Sequence, residues 1–295
     1  MKVRIAFAAA AGVVLIGVLA WPLVAPVEAL GAVLAGNMNF GDKITLAGLA
    51  ILTGFAAYFL SWPYGREIGI LAVPAGLTVW AVRSCTVAGL IQQSPGLAQR
   101  QQLFAALKWE GFFWLAIVAA GFLGVLLAQK ISSQKAKPDE DSQKTGSKAN
   151  AYVNAAIALI GSVLIVQFCI KIFAQDVKLF DSKLGSVVAQ LAIGQIVFAL
   201  LVSFGIAAFV VKKFLNAGYI WPIVAGALVT TFVGGVCIRQ DVLEYLVQNW
   251  PAVFFPSPVL SILPVQMVTF GTLGSIAGYW IAIRYQYWRE HEMNS

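Results

Sequence analysis

Long apolar runs separated by short polar breaks dominate the chain. A helix needs about 20 predominantly apolar residues to cross a hydrocarbon core. Runs of that kind fall at about 4–25, 43–61, 68–90, 109–130, 151–174, 185–211, 217–238 and 262–283. The expected fold is all-α and integral to a membrane, with about eight transmembrane helices. Lys2 and Arg4 ahead of the first run, with Val27-Glu28-Ala29 after it, also fit a cleaved leader. The apolar stretch from Ile5 exceeds the roughly 7–15 residues of a leader core, so a retained helix is the preferred reading.

The longest polar break is ISSQKAKPDEDSQKTGSKAN, residues 131–150. It has no apolar period and reads as a flexible cytoplasmic linker. Its four lysines are nearly balanced by Asp139, Glu140 and Asp141, so it is a poor lipid-binding basic patch.

Segments on either side of the linker resemble one another at a near-constant offset. Gly12-Val13-Val14-Leu15-Ile16 matches Gly161-Ser162-Val163-Leu164-Ile165, and Gly54-Phe55-Ala56-Ala57-Tyr58 matches Gly205-Ile206-Ala207-Ala208-Phe209. Ala75-Gly76 matches Ala225-Gly226, and Gly121-Phe122-Leu123-Gly124 matches Gly271-Thr272-Leu273-Gly274. The matches keep their order across four helix pairs, which points to an internal duplication. The expected domains are a four-helix repeat over 1–130, the linker over 131–150 and a second four-helix repeat over 151–295. A four-helix unit begins and ends on one side, so the two repeats would be parallel rather than inverted. The matched glycines Gly121, Gly124, Gly271 and Gly274 read first as close helix contacts and second as a hinge or a substrate passage.

Composition narrows the function classes. Hydrophobic residues make up 60% of the chain, charged residues 11%, and mean hydropathy is +0.82. Soluble proteins carry about 25% charged residues. A soluble enzyme, a nucleic-acid module and a disordered adaptor are thereby excluded. The net charge of +7 reads as topology. With eight spans and an inside N-terminus, 12 Lys and Arg fall inside and the remaining eight of the 20 fall outside or within the membrane. That bias places both termini in the cytoplasm of a multi-pass protein of the plasma (inner) membrane.

Chemistry has few residues to run on. His291 is the one histidine, so neither a bis-His haem nor a His-based metal site is expected, and no cofactor is. Cys85, Cys169 and Cys237 stand alone in apolar segments and read as packing residues. No predicted span carries a carboxylate near its middle. The candidate polar site within the membrane or at its surface is Arg83, Glu110, Gln167, Lys171 and Gln195. Arg83, read as about two turns inside the third span, fits snorkelling to the surface, pairing with Glu110, or contact with an anionic group.

Two longer connections follow the third and seventh spans. In the first, Leu97, Leu103, Phe104 and Leu107 share a side that Gln99, Gln101 and Gln102 avoid but that Arg100 interrupts, predicting a surface helix before the fourth span with Arg100 snorkelling. In the second, Val242, Tyr245, Leu246 and Trp250 share a helix face. It then breaks into PAVFFPSPVLSILP, apolar yet interrupted by prolines. Irregular apolar backbone must be buried or rest at the interface. The segment reads as a surface-hugging loop or as a partner-docking or gating element carrying Trp250, Phe254 and Phe255.

The favoured function is a non-catalytic membrane subunit or scaffold. A permease or channel for a small molecule or lipid, with its path between the repeats, ranks second, and a membrane enzyme third. Expected partners are membrane lipids and a protein of a membrane complex, not nucleic acid.

Overall fold

The structure is a computed structural model that describes residues 2–26, 31–133, 148–237 and 239–292. The Val27-Glu28-Ala29 site and the middle of the linker, 134–147, lie outside the described residues. Six described helical segments are long and apolar enough to cross a membrane: Lys2–Leu19, Phe40–Leu60, Gly65–Arg83, Leu97–Ser132, Tyr152–Phe173 and Ile193–Leu215. A seventh arises if Ile220–Val236 and Gln240–Asn249, bent by 76°, count as one broken span. The chain is a multi-pass membrane protein. Exposed Leu52, Leu123, Leu164 and Phe198 give its helices the apolar outer surface that lipid requires.

The residues divide into two compact units. The first comprises Met1–Ala25, Met38–Trp80 and Ala116–Ile157. It contains α1 (Lys2–Gly12), a π-helical stretch (Val13–Leu19), α2 (Trp21–Val24), α3 (Phe40–Leu60), α4 (Gly65–Gly69) and most of α5 (Ala72–Arg83). Ala8, Ala57, Ile68 and Ala72 form a fully buried cluster in it. Such small side chains let backbones meet. A Cβ on Gly12 would strike the Ala72 carbonyl, and one on Gly124 the Ile51 carbonyl. Trp80 Nε1 donates to the Gly17 carbonyl, 3.1 Å away, in the π-helical stretch.

The second unit comprises Pro26–Asn37, Ala81–Leu115 and Ala158–Ser295. It holds α6 (Val87–Gln93), the first half of α7 (Leu97–Ser133) and most of α8 (Lys148–Phe173). After these come β1 (Lys178–Asp181), β2 (Gly185–Ala189), α9 (Ile193–Leu215), α10 (Ile220–Cys237), α11 (Gln240–Asn249), β3 (Phe254–Phe255) and α12 (Pro264–Glu292). Its core joins Val166 and Ile170 of α8, Leu200 and Phe204 of α9, Val229 of α10 and Met267 of α12. Helices α9 and α12 cross closely. A Cβ on Gly274 would lie 2.6 Å from the Leu201 carbonyl oxygen, and the Phe204 ring fills the space beside Gly271.

Several expectations are corrected. The predicted sixth span began at 185, but 185–189 is the middle strand of a small antiparallel sheet in the order β1-β2-β3, and the helix starts at Ile193. Val187 and Val188 are buried by that sheet, so their apolarity serves the fold of the loop rather than lipid. The third span ends at Arg83 rather than near 90, because Thr86 starts a new helix: its hydroxyl oxygen accepts the Gly89 N–H at 3.2 Å. Arg83 therefore closes a span instead of lying two turns inside one. The surface helix predicted before the fourth span is continuous with that span as α7, 37 residues long. Its predicted faces hold: Phe104 and Leu107 are buried, whereas Gln99, Gln101 and Gln102 are exposed.

The eighth predicted run is helical as α12 but falls short of the apolarity of the six. Its Thr272 and Ser275 hydroxyls are buried and donate to carbonyls one turn back, each at 2.7 Å, so polar side chains sit in protein rather than against lipid. The proline-interrupted segment is neither helical nor loose. It contributes β3 and a 3₁₀ turn (Pro258–Ser261), with Phe255, Val259, Ile262 and Leu263 buried.

Candidate functional site

The polar side chains of the second unit do two kinds of work. Some satisfy backbone groups that irregular chain would leave unpaired. Gln190 follows β2; its Oε1 accepts from Ala88 N–H at 3.0 Å and its Nε2 donates to the Ser261 carbonyl at 2.9 Å. Gln266 opens α12; its Nε2 donates to the Ala81 carbonyl at 3.0 Å and its Oε1 accepts from Leu263 N–H at 3.0 Å. Glu110, buried on α7, accepts from Ala35 N–H and so holds the short 3₁₀ turn Ala35–Asn37.

Asp181 accepts four hydrogen bonds. It ends β1, and Asp-Ser-Lys-Leu-Gly is a turn-forming sequence in which Gly185 has φ 76°. Its Oδ1 accepts from Lys183 and Leu184 N–H at 2.9 and 2.6 Å. Its Oδ2 accepts from the Tyr245 hydroxyl at 2.9 Å and Trp250 Nε1 at 2.8 Å. Burial alone would push this carboxyl up, but the four hydrogen bonds to the charged form outweigh it and hold it below its ordinary value. The side chain thus pins α11 to the hairpin.

Other polar groups face open space. A cavity of about 420 Å³ is bounded by α8, the hairpin, the end of α10 and the proline-rich segment. Gln167, Lys171 and Gln175 line one side, Lys178 and Ser186 the hairpin side, and Ser257 the far side. Phe232, Val233 and Val236 supply an apolar wall. No acidic residue is among the described residues of the lining. The cavity offers two ammonium groups and several neutral donors, a set that suits an anion.

The structure thus brings Gln167 and Lys171 of the predicted set into one cavity. Arg83, exposed at the end of α5, Glu110, and Gln195, half-buried in the first turn of α9, lie outside its lining. A second, smaller depression gathers Trp250, Phe254 and Phe255 with Phe104, Leu243 and Arg100. Phe255 itself is buried, while the Trp250 and Phe254 rings meet at 5.2 Å. Asp181 and Lys178 escaped sequence reasoning because they fall in the short connection between the predicted spans 151–174 and 185–211, where Lys178 counted only towards sidedness. The turn signature at 181–185 was the available signal. Among the described residues no three His, Cys, Asp or Glu side chains converge as a metal site would require.

Comparison with models of known protein families, with curated proteins and with solved structures finds no match to this chain.

Proposed function

We propose that the chain is a non-catalytic, membrane-embedded subunit that docks a partner protein, rather than an enzyme. The observation that carries this reading is the apolar depression beside α11. Leu243, Leu246, Trp250 and Phe254 form its wall and Arg100 its polar edge. Its free space, about 30 Å³, suits the tip of a side chain rather than a substrate molecule. Aromatic anchors with an Arg nearby are the composition of protein interfaces. The second reading, a permease or channel for a small molecule or lipid, draws on the larger cavity at Gln167 and Lys171.

The proposed site is the plasma membrane, with both termini cytoplasmic, in keeping with the distribution of Lys and Arg. The proposed plan is two parallel four-helix repeats over 1–130 and 151–295, eight spans in all. In its support, positions 150 apart make the same contact: Gly124 meets the Ile51 carbonyl, and Gly274 meets the Leu201 carbonyl. The close approach of Gly12 to Ala72 has no counterpart at Gly161, which faces open space.

A photo-crosslinking residue in place of Val247 or Phe254, in native membranes, tests the subunit reading. One discrete protein adduct, shared by both positions and missing from a lipid-facing control at Ile281, is expected. Adducts to lipid alone would sink the reading.

A further inference from the structure

We propose that the cavity walled by Gln167, Lys171, Lys178 and Ser257 binds the phosphate headgroup of an anionic membrane lipid. Its space of about 420 Å³ far exceeds what an ordered water occupies. Lys171 and Lys178 approach it from different elements, the end of α8 and the start of β1. Neither lysine has a carboxylate partner among the described residues. Two ammonium groups flanked by amide and hydroxyl donors match the oxygens of a phosphate, and charge-assisted hydrogen bonds are the strong ones.

The walls favour a lipid over a dissolved anion. Phe232 and Val236 line the cavity and are 65% and 46% exposed, and Phe168, next to Gln167 on α8, is 66% exposed. A soluble anion needs the lysines alone. A lipid uses the lysines for its headgroup and the exposed apolar side chains for its acyl chains, and basic pockets between membrane helices suit such headgroups. The proposal needs only the membrane location of the chain and does not depend on a docked partner.

The test uses the full chain in nanodiscs of phosphatidylcholine with a minor fraction of phosphatidylglycerol, with retained lipid read by native mass spectrometry. The Lys171→Gln, Lys178→Gln double variant is expected to retain about tenfold less phosphatidylglycerol, with phosphatidylcholine unchanged. The Lys171→Arg, Lys178→Arg variant is expected to keep it. Circular dichroism and elution volume check folding; if the double variant misfolds, Lys178→Gln alone is read, since its side chain is exposed on the hairpin. Equal retention in a folded variant overturns the proposal. So does failure to retain phosphatidylglycerol from the mixed nanodiscs while inorganic phosphate stabilises the protein in phosphatidylcholine alone, which would assign the cavity to a soluble anion.

Discussion

A carboxylate withdrawn from water must be met by donors, and Asp181 is met by four. Because its folded pKa lies below the ordinary value of 3.8, the unfolded chain takes up the proton first as pH falls. Its contribution to stability is therefore complete above that ordinary value and is lost as pH drops through the lower folded one. Asp181→Asn keeps the shape but removes the charge. The variant is expected to lower Tm at neutral pH and to abolish the part of acid-induced unfolding that Trp250 fluorescence reports in the parent. An unchanged acid profile would show that Asp181 does not anchor α11. The turn at Asp181 was legible in the sequence, but its partners were not, since Tyr245 and Trp250 lie 64 and 69 residues downstream. Glu110 stood out as polar for the opposite reason: its apolar surroundings were visible, while Ala35, 75 residues away, was not.

At the level of elements, periodicity located helices well and their ends poorly. Helix α7 absorbed both a predicted surface helix and a predicted span. Its 37 residues rise about 55 Å, well beyond the roughly 30 Å of a hydrocarbon core, so part of it stands in the interface or in water, as its exposed glutamines require. The hairpin was missed because a fully apolar stretch such as Val187-Val188 reads alike in a strand or a buried helix. Glycines were flagged by their matched spacing, and close contacts supply the reason at Gly12, Gly124 and Gly274 but not at Gly161. Gly274→Leu would drive a side chain into the Leu201 carbonyl and is expected to cost about 1–3 kcal/mol or more in a thermal or denaturant unfolding assay. Gly161→Ala meets open space and is expected to change stability by about 1 kcal/mol at most, in the favourable direction. Equal losses at both sites would refute the assignment of Gly274 to a helix crossing.

For the whole molecule, scarcity of charge placed the chain in a membrane before any element was drawn, because no arrangement of so few polar residues covers a water-exposed surface. Sidedness rests on the weaker bias of its basic residues, and it is open to direct measurement. With Cys85, Cys169 and Cys237 replaced by Ser, single cysteines at Ser142 and Ser182 are expected to react with an impermeant maleimide from opposite faces of the membrane. Labelling of both from one face would reject the eight-span topology. The small sheet, which composition gave no hint of, also imposes an order of assembly. Strand β2 pairs with β1 at once, but its other neighbour, β3, and the Ser261 carbonyl that receives Gln190 emerge only after residues 190–253 have been made. A two-stranded ribbon is marginal by itself, so the hairpin waits, half-built, while three further helices are laid down. A chain that stops short of Phe255 therefore lacks β3 and α12 alike, and leaves the hairpin open along one edge.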